Sequence, residues 1–283
     1  MAVAVNVENF VRAESDRTFA SLQADAGGVN RLRHNRAPVP IEHQPVIRMN
    51  RDTLHSAAVV DISEGATLTV PDGGDRYVSV MVVNQDHYIN RVFHEPGEYA
   101  LTVDEFDTPW VGVAARVSSS IPPTATTSPR SMHFRISRDR GQLGQAIRVA
   151  RVRQAKSRRD SQDASRARQG LSVFDHAFGA KNDVDPVRHL LGTAAGWGGL
   201  PDREASYLGV EPRKPVGEYK LTVRDVPVGG FWSIPAQVGG ARRLVDVPRD
   251  RARRDARCMC TSVISMSGAA PPPSSADRAR RIG

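Results

Sequence analysis

The 283-residue chain has two cysteines, four lysines and no long apolar run. Cys258 and Cys260 are separated only by Met259. That spacing is too short for an ordinary bridge, so a disulfide scaffold is excluded. A Cys-x-Cys pair supplies two metal ligands where a closed zinc site needs about four. No second pair is present, and neither a metal nor a cofactor is expected. No stretch approaches the roughly 18 apolar residues that span a bilayer. The opening MAVAVNVENF lacks the basic region and apolar core of a secretory leader. A soluble cytoplasmic protein is the resulting expectation. Reaction signatures are missing as well. Gly196-Trp197-Gly198-Gly199-Leu200-Pro201 lacks the lysine of a phosphate loop, and no GxSxG elbow occurs.

Charge is present but unevenly placed. The net charge is +8. Residues 121–170 carry 12 Lys+Arg against 3 Asp+Glu, and residues 236–283 carry 10 against 4. The other 185 residues therefore carry a net charge of −7. The basicity sits in two blocks, which weakens any argument that the patterned body binds nucleic acid through its overall charge.

Residues 46–103 combine period-two apolar patterning with turn chemistry and clustered polar groups. Ahead of them, residues 6–24 predict an amphipathic helix with Asn6 as N-cap and Val7, Phe10, Val11, Ala20 and Leu22 on one face. Gly27-Gly28 ends it, and prolines 38, 40 and 45 mark an extended loop. Strands are predicted at 57–62, 66–70, 76–83, 97–103 and 111–117. Pro71-Asp72-Gly73-Gly74-Asp75 forms a turn between the second and third. The third is apolar on both faces, as in a strand covered on both sides.

Gly97-Glu98-Tyr99-Ala100-Leu101-Thr102-Val103 recurs as Gly217-Glu218-Tyr219-Lys220-Leu221-Thr222-Val223. Each copy leads into a tryptophan-bearing strand, at Trp110 and Trp232. The spacing of 120 residues is too long for a solenoid, and it suits two β domains of one type. Between them, Asp185-Pro186 caps a helix in which Val187, Leu190, Leu191 and Ala194 recur at helical spacing. The fold class is mainly β with accessory helices.

The two basic blocks hold 21 of the 35 arginines and one lysine. Such Arg/Pro/Ala/Ser-rich text is what a GC-rich gene yields out of frame. Permitted codons for residues 120–137, read two bases later, give a capped amphipathic helix. SRARQG at 165–170 similarly hides LALAKG. A disordered linker and a nucleic-acid-binding arm are the alternatives. The arm lacks the aromatic platform or heptads that such segments use.

Residues 46–60, with Arg48 and Asn50-Arg51-Asp52-Thr53-Leu54, followed by VPDGGDRYVSVMVV, resemble domain of unknown function 1254. GTAAGWGGLPDREASYLGV through VGEYKLTVRDVPVGGFWSI resembles its usual C-terminal partner, domain of unknown function 1214. The resemblance covers roughly 1–117 and 171–234. It implies two jelly-roll-like β-sandwich domains with accessory helices, the second incomplete, in a family whose members are often exported and with homo-oligomers among the expectations. It carries no settled activity. The implied organisation is an N-terminal β-sandwich domain at 1–117 and a basic disordered or out-of-frame segment at 118–170. A partial β domain at 171–234 and a disordered or out-of-frame tail at 235–283 follow.

The densest polar constellation is Arg48, Asn50, Arg51, Asp52, Thr53 and His55. Arg51 and Asp52 would bind an acidic or hydroxylated ligand, with Asp52 and His55 as candidate catalytic groups. The competing reading is a buried Arg–Asp pair and an Asx turn. Trp197 and Trp232, with Trp110, would form an aromatic platform or else fill a core. Tyr88 joins them as a candidate ligand contact. His87, Tyr88, His94 and Glu95 lack the HxH spacing of a metal strand, so loop or surface histidines are expected there. The leading expectation is a ligand- or partner-binding β-sandwich protein. The alternative is a hydrolase-like enzyme using residues 50–55, and a minor one is a nucleic-acid-associated protein.

Overall fold

The computed structural model describes residues 4–39, 50, 53–74, 76–118, 134–138 and 174–210, together with backbone strands at 232–233, 236–238, 241–242 and 259–266. The chain divides into two compact units, residues 1–206 and 207–283. The helix and GWGGLP turn that the sequence assigns to a second domain therefore belong to the first unit.

The first unit opens with α1 (Phe10–Ala26), which starts a turn later than expected. Asn6 does cap, but it caps a turn ahead of the helix. Its Oδ1 accepts the backbone N–H of Glu8 and Asn9, and Asn9 Oδ1 accepts that of Asn6. Val7 is consequently 71% exposed rather than on the buried face. Phe10, Ser15, Thr18 and Phe19 are the buried positions. Gly27, at φ 73°, ends the helix, with its own N–H and that of Gly28 bonded back to Ala24 and Gln23. Glycine tolerates that left-handed geometry without a Cβ penalty.

Five antiparallel strands follow in the order β1-β2-β7-β4-β5. They are β1 (Arg33–His34), β2 (Thr53–Asp61), β4 (Val78–Asn84), β5 (Arg91–Phe93) and β7 (Trp110–Ser118). A second sheet has the order β6-β3-β8, from β3 (Ala66–Val70), β6 (Gly97–Leu101) and β8 (Arg135–Arg138). Expectation and structure agree at β3. Strand β6 stops at Leu101 because Thr102 begins the short helix α2 (Val103–Phe106), with Asp104 and Glu105 in its first turn. That placement suits the helix dipole. Strands β5 and β8 were not anticipated. β8 lies inside the first basic block, where Phe134 is buried and Ile136 packs against the core.

Alternation sorts the central sheet into two faces. Ala58, Val60, Val80, Val82, Val111, Val113 and Ala115 share one core with Leu68, Val70, Leu101 and Phe134 of the three-stranded sheet. The other face carries the intervening residues, and α1 and the 174–206 segment cover it. Both faces of β4 are thus buried throughout, as its two-sided apolar pattern requires. Near α1 the covered face is apolar. Phe19 sits where a Cβ on Gly112 would lie 2.8 Å from its ring and 3.1 Å from Val83.

In the 174–206 segment, Asp185 accepts the N–H of Arg188 at 2.8 Å and caps α3 (Pro186–Ala195) as expected. Its buried face is small and polar, with His189, Gly192, Thr193, Ala194 and Ala195, while Val187 is 65% exposed. The second unit contains β10 (Trp232–Ser233), β11 (Ala236–Val238), β12 (Ala241–Arg242) and β13 (Met259–Met266). The sheet order is β10-β13-β11-β12, and β9 (Ala205–Val210) also pairs with β13. Strands β11 to β13 fall in the block that the sequence sets apart as a tail. MCTSVISM is the β-branched, apolar exception within it. The second GEYxLTV copy, at 217–223, lies outside the described residues.

Gly112→Ala is expected to destabilise the protein by about 1–3 kcal/mol through overpacking against Phe19. Phe19→Leu in that background should restore part of the loss, as read from urea-denaturation midpoints. Independent additive losses would show that the two residues do not compete for the same space.

Candidate functional site

The covered face of the five-stranded sheet turns polar at the end away from α1. His55 on β2, Arg116 on β7 and Ser79 on β4 are directly opposite one another in register. Residues so paired point to the same face with Cβ atoms roughly 5 Å apart. All three are buried, with His55 and Arg116 each 9% exposed.

Arg116 is only partly satisfied by its surroundings. Its Nη2 donates to the Gly198 carbonyl at 2.8 Å, while its Nη1 is buried with no hydrogen-bond partner. No carboxylate pairs with it among the described residues. Ser79 Oγ is likewise buried and unpartnered. A lone guanidinium in such a place is costly, because burial strips its hydration and no opposite charge replaces it.

His55 Nε2 lies 2.9 Å from the Asn50 carbonyl and 3.1 Å from Thr53 Oγ1. A carbonyl only accepts, so Nε2 carries the proton. Burial first, and the nearby Arg116 charge second, push the His55 pKa down to about 4, with the Asn50 carbonyl opposing. The ring is therefore neutral at neutral pH and its Nδ1 presents a bare lone pair.

A chain of hydrogen bonds behind this row orients Arg116. The Gly198 N–H donates to His87 Nε2 at 2.9 Å, and His87 Nδ1 then donates to Thr193 Oγ1 at 2.7 Å. Thr193 in turn donates to the His189 carbonyl. Burial, reinforced by His189, holds the His87 pKa well below the ordinary histidine value. A neutral ring is what this bonding needs, since a protonated Nε2 would repel the Gly198 N–H. His87 was expected in a loop or at the surface. It does lie in the loop between β4 and β5, but it is fully buried there, at φ 63°, stacked on Trp197 and in contact with His189 and Phe178.

The remaining sequence candidates separate. Asn50 joins His55 through its backbone carbonyl. Arg48, Arg51 and Asp52 lie outside the described residues. Trp197 is buried, and its Nε1 donates to Ser15 Oγ at 3.1 Å. Its polar handle is already used inside the core. Tyr88 follows the far end of β4 and stacks on His189 at 4.9 Å. Burial and then Asp86 raise its pKa. It stands roughly 17 Å along the strand direction from the His55 row, at about 3.3 Å per residue. Trp232 is on β10 in the second unit.

His94 bonds the Val78 carbonyl through Nδ1 at 2.8 Å and Glu204 Oε2 through Nε2 at 2.6 Å. Both nitrogens face acceptors, the arrangement of an imidazolium paired with a carboxylate. Among the described residues, no group of three or more His, Cys, Asp or Glu is placed to hold a metal, and no helix is long and apolar enough to cross a membrane.

Arg116 had a signal in the sequence. In Trp110–Ser118 the apolar residues alternate at 111, 113, 115 and 117, leaving a single arginine on the opposite face. Its pairing with His55 across 61 residues had none, because register between distant strands is a tertiary property.

Comparison with known proteins finds a partial match to a family of unassigned role. Residues 29–126 match the family described as "Protein of unknown function (DUF1254)". That span includes His55, Ser79 and Arg116. No curated protein matches the chain. Among solved structures, the VPA0106 protein from Vibrio parahaemolyticus is similar, with 13% identity, a TM-score of 0.51, and coverage of 71% of this chain and 69% of that one. The likeness is one of fold. An uncharacterised protein from Burkholderia cenocepacia aligns at 12% identity and a TM-score of 0.35, over 65% of this chain and 46% of that one.

The depressed His55 pKa has a consequence for stability. Between about pH 4 and 6.5 the unfolded chain binds a proton at His55 that the folded chain refuses. Stability from this group is therefore complete above about pH 6.5 and lost as pH falls toward 4, a contribution on the order of 3 kcal/mol. His87 acts in the same direction. Urea denaturation at pH 7.5, 5.5 and 4.5 should show the loss, and His55→Gln should flatten it. An unchanged pH slope in that variant would contradict a neutral, buried His55.

Proposed function

We propose that the chain is a small-molecule-binding protein of jelly-roll-like β-sandwich architecture, with its ligand site at the polar end of the five-stranded sheet. His55, Arg116 and Ser79 form the floor, and Asn50 joins it through its backbone carbonyl. The single observation that carries this reading is the buried Arg116 guanidinium with an unpartnered Nη1. A protein retains such a group where something else supplies the missing acceptor. In this proposal the C-terminal part is related to domain of unknown function 1214. The arginine-dense text is proposed to arise from reading the gene out of frame. Codons in the gene incompatible with the alternative frame would exclude that origin.

A second reading is supported by the bare Nδ1 of neutral His55, which has the character of a general base. It makes the site hydrolase-like, with Asp52 as a further candidate group. Turnover of ester, glycoside or phosphate-ester substrates, lost in His55→Gln, would favour the enzyme.

The binding reading is tested by Arg116→Met. If Arg116 serves a ligand, the variant without ligand keeps its stability or gains up to about 2 kcal/mol in urea denaturation, since a buried unpaired charge is removed. Thermal-shift responses to a library of anionic, neutral and cationic metabolites should vanish with it. If Arg116 is only a strut for the Gly198 carbonyl, the variant loses about 1.5–3 kcal/mol, the worth of a charged hydrogen bond. The wild type would then show no ligand response.

A further inference from the structure

Resting on the binding reading above, we propose that the His55–Arg116–Ser79 row takes a short-chain hydroxycarboxylate as a monoanion. The charge follows from the inventory of the row. It contains one cation, and the one buried carboxylate among the described residues of the covering segment, Glu204, is already engaged by His94 at 2.6 Å and Arg203 at 3.6 Å. One negative charge on the ligand neutralises the site, whereas a phosphate dianion would leave an uncompensated buried charge.

The hydrogen-bonding pattern selects the rest of the molecule. Arg116 Nη1 is a free donor, and Ser79 Oγ is a free hydroxyl that can donate. Together they suit the two oxygens of a carboxylate, the group that a guanidinium recognises best. His55 contributes the opposite requirement. Its Nε2 proton is committed to the Asn50 carbonyl, so Nδ1 only accepts. A carboxylate alone offers it no donor, but a hydroxyl on the same ligand does. A plain fatty acid would leave that lone pair buried and unmet, a loss that polar sites convert into discrimination.

Size follows from the sheet. His55 and Ser79 stand on the two strands flanking β7, so their Cα atoms are two strand spacings apart, roughly 10 Å. Their side chains point to the same face and narrow that gap. Ala57, Ala114 and Met81 form the next row on that face, and Gly198 closes over Arg116 from the covering segment. The apolar next row favours a short carbon chain beside the polar contacts.

The test is isothermal titration of the full-length protein with lactate, glycerate, propionate, inorganic phosphate and glycerol. Lactate or glycerate should bind at least ten-fold more tightly than propionate. His55→Phe should remove the preference for the hydroxy acids, bringing lactate and glycerate to the same affinity as propionate. Arg116→Met should abolish binding of all carboxylates, and Ser79→Ala should weaken hydroxylated and plain acids by a similar factor. Equal affinity for lactate and propionate, or tighter binding of phosphate, would overturn the hydroxycarboxylate assignment and leave the binding site standing. Glycerol binding that survives in Arg116→Met would do the same. No response to any probe, together with no response to the metabolite library, would overturn the site itself. Circular dichroism of each variant separates loss of binding from loss of fold.

Discussion

A guanidinium on the central strand of the larger sheet, held by the Gly198 carbonyl and facing no carboxylate among the described residues, is the constraint around which this molecule is arranged. Arg116 points into the covered face, so a peptide oxygen must come to it. That oxygen belongs to Gly198, whose own N–H is fixed by His87. His87 is fixed by Thr193 on α3. The strand, the glycine turn and the helix are thereby tied by three hydrogen bonds, each fully buried. In low dielectric such bonds are strong when made and expensive when broken.

This chain of contacts requires neutral histidines. His87 accepts a backbone N–H and His55 donates to a backbone carbonyl, and each uses the tautomer that its partner dictates. Burial removes the water that would stabilise the imidazolium, and the neighbouring charges act in the same direction. The result is a buried polar row whose histidine is neutral at neutral pH, with Arg116 Nη1 and Ser79 Oγ left without a partner. His94 shows the contrasting case. With a carboxylate on one side and a carbonyl on the other, it carries the geometry of a charged pair and fastens the covering segment near the start of β4.

The opposite end of the same face shows how the polar row is confined. Phe19 packs over Gly112 and Val83, and Trp197 bridges Phe19, His87 and Ser15. The glycines of the GWGGLP turn have a steric role here. A Cβ on Gly199 would lie 2.4 Å from the Phe178 ring, and Gly198 adopts a φ of 80°. The turn can therefore approach the sheet closely enough to place a carbonyl beside Arg116. Its glycines serve backbone approach, as in a phosphate loop, although here the incoming group is a protein side chain.

Much of the fold could be read from local text. The alternation in 66–70 and 111–117, the two-sided apolar run in β4, the Gly27 stop and the Asp185-Pro186 start all come from short-range chemistry, and the structure contains each of them. Local text also placed His55 in a polar cluster. It placed Phe10 on the buried face of α1 but missed Ser15 and Thr18 there and the small, polar buried face of α3, and it put Val7 and Val187 inside where both are exposed, a choice made by the surfaces these segments meet rather than by their own hydrophobicity. Nor could it join Arg116 to His55, or turn His87 inward. Those follow from strand register and from the packing of a segment about a hundred residues away. Sequence determines which residues are able to alternate, cap and turn. Only the tertiary structure decides which polar groups are buried facing one another.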